Sequence, residues 1–335
     1  MRTVSERARW KGEGLRGDQV AAELDRQHRE LQAKGRAQAL ARTLNLIVAP
    51  TSADAAKRVD DVLAQLGTHS PSRTLVLRRH GVERLDTEVV IDCEFPDVAG
   101  RVGICHDRVV LTADEGRLGH AASLLAPLLL SDLPTILWLP DPGAPIPDPD
   151  LLDRAQQLLV DSTAGDGADF GKLRGLAARA RVHDLAWGRL EFWRAATSAA
   201  FDSPERRALL PRVTRLDVRY QGDALSAALL LVGWIVARAG WSPGRVETDH
   251  GRTRGTATRP DGGEVSLALS HDPKAHGCGG VEGLSVQSGS DEVKVHRGAA
   301  TSRLRDLFAE ALQPIPSFAK GYPEALEAAA AMAGH

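Results

Sequence analysis

Thr135-Ile136-Leu137-Trp138-Leu139, closed by Pro140-Asp141-Pro142-Gly143, is the stretch that decides the reading of the chain. Five apolar residues in succession leave no polar face, which is the condition of a central strand covered on both sides. Upstream, Leu118, Ala121, Ala122, Leu125, Leu128 and Leu129 recur at helical spacing, so a helix is expected from Arg117. Pro127 removes a backbone donor and should kink or end it near Ser123 to Ala126. Downstream, Asp150 is placed to cap a helix from Leu151 to Gln157, which leads into a second buried strand, Leu158-Leu159-Val160-Asp161-Ser162. Strand, helix and strand on this scale form a parallel crossover unit.

Further strands are expected at Thr43 to Ala49, Arg73 to Leu77, Glu88 to Cys93 and Val109 to Leu111, with an amphipathic helix over Ala53 to Leu66. This gives an α/β N-terminal domain over residues 40–182, a mixed or parallel sheet flanked by helices. Residues 1–39 form a charged helical arm in which Val20, Leu24 and Leu31 line one side. Residues 183–335 read as an α+β domain. It has a helix from His183 to Phe201, a strand from Val213 to Tyr220, a core helix from Asp223 to Arg238, and an antiparallel meander of two hairpins. The hairpins turn at Pro260-Asp261-Gly262-Gly263 and Ser288-Gly289-Ser290-Asp291. Helices over Ser302 to Leu312 and Glu324 to Met332 follow.

At 335 residues the chain is long enough for two sizeable cores. Its net charge of −2 and the absence of a Lys/Arg block argue against nucleic acid as a partner. The first residues carry no apolar core of a signal peptide, and the longest apolar run, Ala224 to Ala237, falls short of the roughly 20 residues that cross a bilayer. Three cysteines, Cys93, Cys105 and Cys278, are too few for a disulfide framework, which fits a cytoplasmic protein. Cys93 and Cys105 approach each other if their strands pair. A redox switch there is one reading, and inert core residues the other.

The motifs that would announce an enzyme are incomplete. Gly12-Glu13-Gly14-Leu15-Arg16-Gly17 spells G-x-G-x-x-G, but the charged Ser5 to Lys11 before it is not the apolar strand a dinucleotide fold requires. The Gly165-Asp166-Gly167 stretch lacks the glycine and the Ser/Thr of a phosphate loop and reads as a helix-capping turn. His271, His276 and Cys278 share a loop but match no zinc spacing. His69, His106, His183 and Asp161 come without partners that sequence can place beside them. No catalytic set, cofactor or metal is expected.

Within the His183 to Phe201 helix, Arg189 falls inside the apolar arc. A guanidinium stripped of water needs a partner, so Arg189 pairs with Asp184 or Asp161, or reaches a surface that another protein covers. Trp187 and Arg194 lie on the neighbouring face, where exposed Trp and Arg are the residue types enriched in binding hot spots.

His69-Ser70-Pro71-Ser72-Arg73-Thr74-Leu75-Val76, Ser131 to Trp138, Leu159-Val160-Asp161-Ser162, Asp184 to Leu190 with Phe192-Trp193-Arg194, and Leu231-Val232-Gly233-Trp234 together resemble the OpcA family of bacterial glucose-6-phosphate dehydrogenase assembly proteins. The resemblance implies a non-catalytic effector that binds that dehydrogenase and promotes its active assembly, in support of NADPH supply. On this reading Trp187, Arg189, Trp193 and Arg194, with Trp138 and Asp161 behind them, form or support the contact surface. Two alternatives stand beside it: a small-molecule enzyme or sugar-phosphate sensor using the strand ends of the α/β domain, and an adaptor gated by Cys93 or Cys105.

Overall fold

The structure is a computed structural model, and it describes all residues except 1–2, 35–38, 67–70, 82–83, 97–101, 165–168, 273–279, 297–303 and 314–315. The chain divides into two compact units, one of residues 1–160 and 180–182, the other of residues 161–179 and 183–335.

The first unit is built on a sheet of β1 (Thr3–Glu13), β2 (Ala39–Ala41), β3 (Leu44–Val48), β4 (Ser72–Arg79), β5 (Asp86–Pro96), β6 (Val102–Ala113), β7 (Thr135–Leu139), β8 (Gln157–Val160) and β9 (Arg181–Asp184), in the order β1-β5-β6-β4-β3-β7-β8-β9 with β2 alongside β6. Pairing is parallel from β6 through β4, β3 and β7 to β8, and antiparallel at β1-β5-β6. All of β3, β7 and β8 is buried, as their unbroken apolar runs require. Its helices are α1 (Gly17–Lys34), α2 (Ala53–Leu66), α3 (Glu115–Leu118), α4 (Ala121–Leu125) and α5 (Leu151–Arg154).

Several expectations are corrected here. The helix expected from Arg117 is broken twice, at Gly119-His120 and again where Pro127 turns the chain into a 3-10 segment over Ala126–Leu128. Asp150 makes no capping bond and α5 is a single turn. Asp148 bonds the backbone instead, accepting from Ala122 N at 2.8 Å and Asp150 N at 3.0 Å. The charged Ser5 to Lys11 is a strand after all. It is an edge strand antiparallel to β5, where Arg7 meets Asp92 and Lys11 faces Glu88, so apolar continuity is not required of it. Gly17, the last glycine of the false dinucleotide motif, serves packing: a Cβ there would lie 2.5 Å from the backbone oxygen of Leu124.

Cys93 and Cys105 sit directly opposite in the β5–β6 ladder and are joined by a disulfide, their Cα atoms 4.2 Å apart, so neither is a free core thiol. Closing a short loop of this kind restricts the unfolded chain by about 3 kcal/mol. A Cys93→Ala/Cys105→Ala variant should therefore lose about 2–3 kcal/mol in urea unfolding without reductant. In excess dithiothreitol the gap to the native sequence should mostly close.

The second unit carries α6 (Phe170–Ala177), α7 (Leu185–Arg189), α8 (Glu191–Ala200), α9 (Pro204–Arg207), α10 (Leu225–Ala239), α11 (Leu304–Ala311) and α12 (Tyr322–Met332). Its sheet comprises β10 (Arg215–Tyr220), β11 (Ser242–Asp249), β12 (Arg252–Thr258), β13 (Glu264–His271), β14 (Val281–Ser288) and β15 (Asp291–His296), in the order β11-β12-β13-β10-β14-β15. Pairing is antiparallel except between β10 and β13. β11 begins at Ser242, two residues after the left-handed Gly240 that ends α10, and pairs antiparallel with β12. α10, apolar nearly all round, packs against α12 so closely that a Cβ on Gly233 would lie 2.5 Å from Ala325 O. The single helix expected from His183 to Phe201 is three elements, because His183 and Asp184 finish a strand and the chain bends at Leu190.

Candidate functional site

The residues singled out in the sequence fall into two groups. Trp138 lies in β7 of the first unit, 4% exposed in the middle of its sheet. Asp161, Trp187, Arg189, Trp193 and Arg194 belong to the second unit, where two pairs form, Asp161 with Arg189 and Trp187 with Arg194.

Asp161 is the partner that Arg189 needs. The guanidinium grips both carboxylate oxygens, with Arg189 Nη1 donating to Oδ1 at 2.9 Å and Nη2 to Oδ2. Thr163 completes the site by donating to Asp161 Oδ1 from its hydroxyl at 2.6 Å and its backbone N at 3.1 Å. Burial pushes the Asp161 carboxyl up, but the charge and hydrogen bonds of Arg189 outweigh it and hold it below its ordinary value. The side chains keep 26% and 18% exposure, so the pair is half-open to solvent.

Asp184, the other candidate partner of Arg189, does something else. As the N-cap of α7 it accepts from Ala186 N at 2.9 Å and Ser162 N at 3.0 Å through Oδ1, while Tyr322 donates its hydroxyl to Oδ2 at 3.2 Å. It is 1% exposed, and burial, reinforced by the charge of Asp161, raises its pKa to about 6. Burial and the Asp184 carboxylate push the Tyr322 hydroxyl well above 10.

Because the folded Asp184 holds its proton to a higher pH than the unfolded one, its contribution to stability is present at low pH. It is lost as pH rises from about 4 to about 6, a fall on the order of 2–3 kcal/mol. Asp184→Asn keeps the shape and the Oδ1 acceptor but cannot ionise. The difference in unfolding free energy between the two proteins should therefore move in the variant's favour across that window, read from denaturation curves at a series of pH values.

Trp187 is fully buried, which corrects the expectation that it lies exposed on the helix surface. Its ring meets Tyr322 at a tilt, centroids 5.9 Å apart, and Arg194 lies over the ring with Cζ 3.8 Å from the centroid. Arg194 also donates to Trp187 O at 2.6 Å. Burial lowers the Arg194 pKa to about 10 against a smaller opposing pull from Glu191, and the guanidinium stays charged. Trp193 is 4% exposed and packs edge-on to Phe192. Thr163, Asp184 and Tyr322 were not singled out as site residues. Tyr322 is 138 positions from its partner, and no spacing rule could have joined them.

In the first unit, an open cavity of about 1050 Å³ lies beyond the carboxyl ends of β4 and β6 and the start of α2. Arg78 there is held by Asp60, and Arg79 by Glu115 at 3.3 Å. Beside it, where β3 gives way to α2 and the strand order reverses toward β7, the chain supplies its own anion. The Asp141 carboxylate accepts from Thr51 N, Thr51 Oγ1, Ser52 Oγ and Arg58 Nη2 at 2.7 to 3.3 Å. Among the described residues no three His, Cys, Asp or Glu side chains are grouped as a metal would need, and His276 and Cys278 lie outside them. No helix of the described residues is long and apolar enough to cross a membrane.

Residues 63–178 match the model of the glucose-6-phosphate dehydrogenase subunit N-terminal domain, OpcA_G6PD_assem, and residues 180–318 that of the C-terminal domain, OpcA_G6PD_C. The chain belongs to the OpcA family. A "Putative OxPP cycle protein OpcA" from Nostoc punctiforme is 28% identical over 176 residues, 50% of this chain and 37% of that protein. A protein of the same description from Synechococcus elongatus is 29% identical over 189 residues, 53% and 42% of the two. The aligned part thus spans less than half of the curated relatives it matches. Among solved structures, the WlbA dehydrogenase from Bordetella pertussis gives a TM-score of 0.47 at 9% identity, covering 87% of this chain and 95% of that one. At that score the likeness carries nothing about activity.

Proposed function

We propose that this chain is a non-catalytic effector that binds a glucose-6-phosphate dehydrogenase in the cytoplasm and favours its active assembly, within the oxidative pentose phosphate route. The observation that carries the reading is the pair of consecutive dehydrogenase-subunit domain matches, which together run from residue 63 to 318. An effector of this kind must bind the active form of its partner better than the inactive one, and each 1.4 kcal/mol of difference shifts the ratio about tenfold. Dehydrogenase activity measured against substrate concentration, with and without the chain, tests it. A lowered KM or raised kcat is expected. Turnover of a sugar phosphate by the chain alone would replace the proposal with the enzyme reading.

For the contact itself, we propose different parts for these residues, in keeping with their burial. Trp187 and Trp193 shape the second unit from inside, Trp138 the first, and the half-open Arg189–Asp161 pair and Arg194 supply the polar groups within reach of a partner. Arg189→Ala leaves Asp161 without its guanidinium and should weaken dehydrogenase capture about tenfold or more, beyond its effect on folding. Titration calorimetry on samples of verified fold measures this, and unchanged affinity would remove Arg189 from the contact.

A further inference from the structure

The sheet of the second unit has one face buried, with Leu216, Val218, Leu267, Leu269 and Val286 pointing into the core. The opposite face is made of side chains that are exposed or half-buried, apart from Gly283. Its composition is unusual for a face that merely meets water. The columns on β13 and β14, on either side of β10, present Ser266, Ala268, Ser270, Gly283 and Ser285, all small residues. The columns on β12 and β10 present Arg252, Arg254, Arg215 and Arg219. The face is therefore ridged, with long columns alternating with shallow ones except at Gly283, where the Arg219 guanidinium reaches across from β10.

The ladder registers fix which residues lie level with one another. One row runs Glu247, Arg254, Ala268, Asp217, Ser285, Lys294 across all six strands, and the next runs Asp249, Arg252, Ser270, Arg219, Gly283, His296. A two-fold axis parallel to the strands, between β13 and β10, reverses the order of columns and lays the face on a copy of itself. Under that operation β12 of one copy covers β14 of the other, so Arg254 meets Ser285, while Arg252 comes level with Gly283, across which the Arg219 guanidinium of that same copy already lies. β13 covers β10, so the Ser266-Ala268-Ser270 trough receives Arg215, Asp217 and Arg219. β11 covers β15, which brings Glu247 onto Lys294. Away from Gly283, long columns enter shallow ones, and the outer pair is of opposite charge.

We propose that this face is an isologous interface on which a second copy of the chain docks. Packed sheets lie about 10 Å apart and cross at roughly 30°, which preserves the column pairing near the axis. Six strands at about 4.8 Å spacing and six residues at about 3.3 Å give a face of about 600 Å², of the order of the 800 Å² that each partner contributes to a standard interface. Its acidic and basic side chains are balanced, so a copy of itself meets no net repulsion.

Sedimentation equilibrium of the full chain in the micromolar range should find a species of twice 35.9 kDa. Ala268→Arg, at the centre of the trough, should raise the dimer dissociation constant at least tenfold without changing the circular dichroism spectrum. Glu247→Lys and Lys294→Glu, both exposed and the second giving up its own-copy pair with Glu292, should each weaken the dimer several-fold, and the double charge swap should restore it. Within one copy these residues sit at opposite edges of the sheet, about 24 Å apart, so rescue can only pass between copies. A chain that sediments at one chain mass overturns the proposal. So does a dimer indifferent to Ala268→Arg, or a double variant as weak as the singles. If the chain stays single and Ala268→Arg instead abolishes dehydrogenase capture, the face belongs to a different protein and the second-copy assignment fails.

Discussion

Asp107→Ala should destabilise the first unit by about 3–5 kcal/mol, among the largest losses any one substitution in this chain would cause. Asp107 is fully buried on β6 and is shared by three cationic or potentially cationic groups. Arg42 donates to both of its oxygens, from Nε at 2.6 Å and Nη2 at 2.9 Å. Arg73, directly across the ladder on β4, donates from Nε at 3.1 Å, and His28 of α1 lies 2.9 Å from Oδ1. Arg42 and Arg73 keep only 8% and 6% side-chain exposure, so without the carboxylate two guanidinium charges are left in a water-poor interior. The cost comes from those orphans and not from the lost attraction alone. Burial pushes the Asp107 carboxyl up, yet His28 and Arg42 pull it well below its ordinary value. Stability from this group is therefore present above about pH 4 and is lost only as pH falls toward the depressed folded value. Urea unfolding at neutral pH measures the loss, and a change under about 1 kcal/mol would show that the cluster relaxes onto water. Arg73→Met, which removes one cation and keeps the stem, should cost less than Asp107→Ala.

That cluster also explains where the sequence was readable. Runs such as Thr135 to Leu139 and the spacing of Ala53 to Leu66 follow directly from local pattern, and both elements stand where expected. What pattern could not supply is pairing. Arg42, Arg73 and Asp107 are charged residues at the edges of apolar runs, which local reading treats as strand ends. They are buried because β4 and β6 align and α1 covers them. For the same reason the helical region that looked like a surface arm carries His28 into the interior, alongside buried Val20, Leu24 and Leu31. β1 escaped notice because an edge strand satisfied by cross-strand ion pairs carries no apolar signature. In the second unit the helical spacing of Leu185, Ala186, Leu190 and Trp193 was real, but it could not show that Asp184 caps a fresh helix after a strand. The cost of burying a guanidinium left Arg189 either a carboxylate such as Asp184 or Asp161 or a surface that another protein covers, and the turn at Asp161 supplies the carboxylate.

Trp187→Ala should cost about 3–5 kcal/mol and populate a loosened second unit, because it deletes the largest fully buried side chain among the described residues together with its contacts to Tyr322 and Arg194. Tyr322 loses a ring neighbour and with it the orientation that aims its hydroxyl at Asp184. Arg194 loses the π-face under its guanidinium, although its bond to the backbone oxygen at position 187 survives. Trp187→Phe keeps most of the volume and should cost about half as much. The pair of variants separates two ways in which this residue affects partner binding. If Trp187 acts through the fold, dehydrogenase capture falls only by the fraction unfolded, and Trp187→Phe binds like the native sequence at a temperature where both are folded. Fluorescence and circular dichroism give that fraction, and calorimetry on the same samples gives the affinity. If Trp187→Phe is fully folded and still loses binding tenfold, the ring itself swings out to meet the partner, and its buried position here is one of two it adopts. The expected result is the first, since a tryptophan clamped by Tyr322 and Arg194 would have to break both contacts before it reached a neighbour.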